Sequence, residues 1–213
     1  MDGLYDAPTM NSATVQPRTR DFTTSLVINL LGVIGFALAA GLASHAKIYL
    51  ANTPVPITLQ STVVLLAGLT LGSRLGMASM LLYLALGAAG AQMFALQNET
   101  MEGLGWKYFW GPTGGYLVGF LLAQPLVGYL SRTRQFTGAF WGTLAGTGVI
   151  FAVGLLWLGI WLNQGLSETI EMGLLPFLVP GLIKTMVVLG IAPLALSHAR
   201  PIFCGQPEDT TVS

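Results

Sequence analysis

Lys184 is the one charged side chain set deep inside an apolar stretch, LLPFLVPGLIKT, about 13 Å beyond Leu175 if the helix is continuous. A lysine at the centre of a membrane helix costs roughly 2.5–3.5 kcal/mol on insertion scales. No acid occurs in any other apolar stretch to pair with it, so its charge must meet water or a ligand. Pro176, Pro180 and Gly181 stand just before it. Proline lacks the backbone donor and clashes with the preceding turn, which predicts that the helix breaks or restarts at Pro180. Backbone N–H groups and the helix dipole would then lie one turn from Lys184. Cation and helix terminus together suit an anionic group; the alternative is a lysine that snorkels outward past a simple kink.

Other candidate contacts fall at the ends of apolar stretches. Gly111-Pro112-Thr113-Gly114-Gly115-Tyr116 is a turn sequence running into a helix, and its backbone amides, the Thr113 hydroxyl and the Tyr116 ring could touch a ligand. Tight helix packing would explain the same glycines. The Pro-rich run Thr53-Pro54-Val55-Pro56-Ile57-Thr58-Leu59-Gln60 could cover or gate a pocket. Gln92, Gln97 and Asn98 carry amides that both donate and accept, or they cap a helix end. Trp106, Tyr108, Phe109 and Trp110 read as an interfacial belt first and a ligand wall second.

Several chemistries lack their residues. No Gly-rich loop ends in Gly-Lys-Ser/Thr, so no ATP-binding P-loop is expected. His45 and His198 fall at opposite faces of the topology, and the single cysteine, Cys204, joins neither, so no metal site is expected. Lys184 has no serine in its own helix before Ser197, which leaves an intramembrane enzyme dependent on another helix for its nucleophile. No catalytic residue and no cofactor are assigned.

These residues need elements to hold them. Of 213 residues, 53% are hydrophobic and 8% charged, a composition that would precipitate as a soluble domain and suits lipid instead. Nine basic and nine acidic residues cancel without a basic cluster, which argues against a nucleic-acid partner. Six stretches near the roughly 20 residues needed to cross a bilayer predict an all-α, polytopic membrane protein with spans at 25–45, 55–73, 75–95, 112–130, 139–162 and 175–198. Arg18, Arg20, Arg74, Arg132, Arg134 and Arg200 share one side, against Lys47 and Lys107 on the other, so both termini are expected in the cytoplasm. Residues 1–23 then form a polar tail, 24–199 the membrane domain and 200–213 a second tail. Gly35, Ala39 and Ala43 recur at four-residue spacing, which suits an internal helix contact or a partner subunit.

The runs Pro54-Val-Pro-Ile-Thr-Leu-Gln60, Leu71-Gly-Ser-Arg-Leu-Gly76, Tyr83-Leu-Ala-Leu-Gly87, Gly111-Pro-Thr-Gly-Gly-Tyr116, and Pro176-Phe-Leu with Leu182-Ile-Lys184 resemble the BioY family. These are the biotin-capturing S components of energy-coupling-factor (ECF) transporters. The resemblance implies a six-helix S-component fold in a prokaryotic cell membrane, an outward pocket for biotin, and partnership with a transmembrane T subunit and ATPase subunits. It points to Ala39 and Ala43 as the T-subunit contact. It also implies that Lys184 takes the valerate carboxylate, that Tyr116 and outer aromatics flank the ring and tail, and that amides read the ureido group. The family's last helix usually reads Pro-Gly-Asp-Leu-Ile-Lys, whereas Gly181 holds the Asp position here. Asn98, Gln97, Asn163 or a backbone carbonyl would have to receive the ureido N–H groups. The alternatives are an S component for another carboxylate vitamin or precursor, and a free-standing carrier.

Overall fold

The computed structural model describes residues 21–95, 105–133 and 135–204, and almost all of them are helical. Helix α1 is Phe22–His45, followed by a two-stranded antiparallel ribbon, β1 Lys47–Ile48 with β2 Ile57–Thr58. Then come α2 Gln60–Ala88, a 3-10 turn Gly105–Trp110, α3 Gly114–Leu130, α4 Phe136–Leu162, the short α5 Leu166–Gly173 and α6 Leu175–Leu194. A π-helical turn at Ala195–Ala199 carries α6 into α7, Arg200–Cys204. Five helices are long and apolar enough to cross a membrane, so the chain is a multi-pass membrane protein with an all-α fold.

The stretches expected as second and third spans are the two arms of α2. Gly72 interrupts this helix with φ 75° and ψ −176°, and the chain folds back there. A Cβ placed on Gly76 would lie 3.4 Å from the Gly68 Cα, although eight residues of continuous helix would separate them by about 12 Å. Gln60 Nε2 donates to the Tyr83 hydroxyl at 2.6 Å, across what would be roughly 35 Å of straight helix. The arms, residues 60–71 and 73–88, are therefore an antiparallel hairpin centred on Gly72. At about 18 and 24 Å each, they fall short of the roughly 30 Å of hydrocarbon.

Helix α3 packs between α2 and α4 through small residues. A Cβ on Gly119 would stand 2.9 Å from the Ile150 Cα, so only glycine allows these two backbones to lie this close. At the Gly72 end, the buried Arg200 binds three elements together. It donates to the Leu69 carbonyl at 2.9 Å, the Ser131 hydroxyl at 2.6 Å and the Gly128 carbonyl at 2.8 Å. Arg200 is thus the first residue of the expected tail and yet only 4% exposed. Arg74 and Arg132 flank the same end, whereas Lys47, Lys107, Glu168 and Glu171 belong to the elements of the opposite end.

One expectation is overturned. Helix α6 does not restart at Pro180; it begins at Leu175 with Pro176 in its first turn and runs through Pro180. A proline removes one intrahelical bond, and the remaining bonds of a 20-residue helix are enough to carry it past that gap.

Candidate functional site

The helices enclose a cavity at the end opposite Gly72, with about 80 Å³ open to the centre of a water-sized sphere. A single water needs roughly 10–15 Å³ on that measure, so several fit. The ribbon and the start of α2 give Val55, Pro56, Thr58, Gln60, Ser61 and Leu65; α3 gives Tyr116, Leu117 and Phe120 beside its cap, Thr113. Thr147, Ile150 and Phe151 come from α4, Phe177, Gly181, Lys184 and Thr185 from α6, and Ala95 and Tyr108 complete the wall. The lining is mainly apolar and aromatic with few polar groups, the usual make-up of a small-molecule site.

Lys184 is the only charged residue of this lining, and among the described residues it has no hydrogen-bond or ion-pair partner. Because α6 is unbroken, the free N–H groups of its first turn begin nine residues earlier, at Leu175. The cation therefore stands without a helix terminus beside it, contrary to the restart expected from Pro180. One turn before it, Gly181 also lines the cavity, and a Cβ there would find nothing within 4 Å.

Tyr116 supplies a wall rather than a free hydroxyl. Its OH donates to the Gly173 carbonyl at 2.9 Å, and its ring meets Phe151 edge-on at 6.2 Å. Thr113 is 7% exposed, and its hydroxyl has no hydrogen-bond partner. Gly114 and Gly115 lie outside the lining; their missing side chains make room for the Phe109 carbonyl and for Trp157, whose indole N–H donates to the Gly111 carbonyl at 2.9 Å. Gln92 is exposed and away from the cavity, and Gln97 and Asn98 lie outside the described residues. Asn163 closes α4 in the left-handed conformation, φ 51°, also away from the lining. Ala39 and Ala43 sit half-buried on α1, and a Cβ on nearby Gly35 would meet nothing within 4 Å, so this stripe has open space beside it.

Gln60, Thr147, Thr185 and Phe177 line the cavity without having been singled out as contacts from the sequence. Gln60 is 4% exposed; its Nε2 donates to the Tyr83 hydroxyl and to the Ala40 carbonyl at 3.4 Å. The available signal was a polar residue inside an apolar span: Thr143 and Thr147 lie one turn apart in the middle of α4, on one face. Among the described residues no three His, Cys, Asp or Glu side chains come together.

Comparison with known proteins places these features in context. The family model described as the BioY family matches residues 11–201. The probable biotin transporter BioY of Pyrococcus horikoshii is 38% identical over 148 residues, 69% of this chain and 84% of that protein. The biotin transporter BioY of Thermotoga maritima is 36% identical over 140 residues, covering 65% and 79%. A crystal structure of the S-component for biotin from an ECF-type ABC transporter superposes with a TM-score of 0.72 over 82% of this chain and 94% of that one, at 24% identity.

Proposed function

The chain belongs to the BioY family, a family of transporters rather than enzymes, and on that premise we propose that it captures biotin for uptake across a prokaryotic cell membrane. The observation that carries this reading is the unpaired Lys184 in an otherwise uncharged, aromatic-lined cavity. An ammonium group there favours a ligand with one anionic end and an apolar body, which is the chemistry of biotin. Lys184 takes the carboxylate, Tyr116 and Phe151 hold the apolar part, and Thr113 and Gln60 offer hydrogen bonds to the ring. Gln97 and Asn98 keep their proposed part in reading the ureido group, whereas Gln92, away from the cavity, does not; Gly114 and Gly115 shape the turn that presents Thr113.

The two arms of α2, although each is shorter than the hydrocarbon, count together with the residues that flank them as two crossings, giving six in all with both termini in the cytoplasm. This reading draws on Arg74, Arg132 and Arg200 at one end and the rule that cytoplasmic connections are rich in Lys and Arg. The cavity then opens outward. Residues 24–199 form the membrane domain between tails 1–23 and 200–213, although the helix persists to Cys204. Energy comes from a separate module of a T subunit and ATPase subunits, with Ala39 and Ala43 as the docking face. A second reading, another carboxylate vitamin or precursor, is favoured by the open space at Gly181, which would admit a bulkier ligand beside Lys184.

Calorimetry of biotin with the detergent-purified protein and Lys184→Ala tests the assignment. A charge-assisted contact is worth roughly 1.5–3 kcal/mol, so the substitution should weaken binding at least about tenfold. Absence of binding by folded wild-type protein would rule out biotin and send the search to other carboxylates.

A further inference from the structure

Resting on the proposed reading of Lys184, we propose that Thr147 of α4 is a second, specificity-determining contact, whose hydroxyl shares with Lys184 the same ligand oxygen. Thr147 lines the cavity, and its hydroxyl has no hydrogen-bond partner and almost no water-accessible surface. A hydroxyl on a helix has a ready acceptor in the carbonyl four residues back. Elsewhere in this chain Ser131, Thr169 and Ser197 each use that acceptor, at 2.6, 2.8 and 2.6 Å. Thr147 leaves it unused, as do Ser79 and Thr143 within their helices, but of these three Thr147 alone lines the cavity, so its unsatisfied hydroxyl stands beside the binding space.

Its level in the bundle matches that of Lys184. The antiparallel helices α4 and α6 meet at Phe151 and Phe177, whose ring centroids are 6.2 Å apart. Lys184 lies seven residues beyond Phe177, and the same step back from Phe151 reaches residue 144 of α4. Thr147 lies three residues, about 4.5 Å along α4, from that level. Side chains on a helix lean toward its N-terminus. Because the two helices run oppositely, Lys184 leans up the cavity and Thr147 down it, which closes the remaining offset. A 120° rotation about χ1 carries the hydroxyl to another staggered position, so the O–H can turn toward a ligand acceptor without backbone movement.

The test uses the full-length protein in detergent with labelled biotin. Thr147→Val keeps the shape and removes the hydroxyl; it should weaken binding at least about fivefold, while the ligand-free melting temperature stays unchanged or rises because an unsatisfied polar group has gone. Thr147→Ser should restore wild-type affinity. In a Lys184→Ala background the Thr147→Val effect should shrink below about twofold, since the shared oxygen is no longer held in place. Wild-type affinity in Thr147→Val overturns the inference, as does an equal loss in both backgrounds or a fall in ligand-free stability that accounts for the lost binding. If Lys184→Ala itself binds as wild type, the reading of the site fails first and this inference with it.

Discussion

Replacing Gly72 by alanine tests whether the chain reverses within α2. Two terms contribute. The backbone at φ 75° and ψ −176° is in a region essentially reserved for glycine, where another residue pays of order 1–3 kcal/mol. The new Cβ would also stand 2.9 Å from the Cys204 sulfur and 3.7 Å from Arg200 Nη2, a crowding that the sulfur can partly relieve by moving. Together they predict a loss of about 2–3 kcal/mol, mostly conformational. The assay is reversible unfolding in mixed micelles followed by tryptophan fluorescence, with Cys204→Ala as a second substitution. Gly72→Ala/Cys204→Ala should recover less than half of the loss, because removing the sulfur leaves the positive φ in place. Were the helix continuous through residue 72, alanine would instead stabilise it by roughly 0.5–1 kcal/mol. A Gly72→Ala protein as stable as wild type would therefore refute the hairpin, and with it the counting of two crossings in α2.

Arg200→Met should cost about 3 kcal/mol of stability, since the lost bonds come from a charged donor, worth roughly 1.5–3 kcal/mol each in the general case, and part of the loss is recovered by methionine packing. Thermal unfolding in detergent reads it, and a shift indistinguishable from zero would mean that the clamp on Leu69, Gly128 and Ser131 holds nothing. Gly181→Val should leave the melting temperature within a few degrees of wild type, because its Cβ meets no atom, while weakening biotin binding about tenfold by filling the space beside Lys184. Unchanged affinity would show that the ligand never uses that space.

The membrane class, the helical character of the apolar stretches and the position of Lys184 within one of them were legible because they depend on composition and on single residues far from their usual environment. The hairpin was only half legible. Arg74 marked a connection between two spans, but the positive φ that makes a turn of one residue sits on Gly72, and a glycine in an apolar run reads equally as packing. Pro180 misled in the other direction. Its sequence signature is that of a helix start, yet the helix had already begun at Leu175 with Pro176 in the first turn, and tertiary packing of Phe177 against Phe151 overrides the local preference. Glycines 114 and 115 have the type expected of backbone that approaches a ligand, but the partner they approach is Trp157 and the Phe109 carbonyl. Thr147 was missed because Thr143, one turn away on the same helix, has the same residue type and an equally unpartnered hydroxyl, and the sequence does not say which of the two faces the cavity.

The cavity gives a physical reason for the unpaired lysine. An ammonium group buried without a partner would carry a large desolvation penalty, and no carboxylate stands in the lining to offset it. A space of about 80 Å³ lets a few waters hydrate the cation while the site is empty. On the proposed reading of the site, an anionic ligand would displace those waters and supply the missing charge in a medium of lower dielectric, where the attraction is stronger than in water. A carboxylate fixed at Gly181, one turn from Lys184, would pair with it permanently and weaken that gain. With glycine there, the proposed ligand would itself provide the counter-charge, so on that reading selection for an anionic end would come from the absence of a carboxylate in the lining as much as from the lysine.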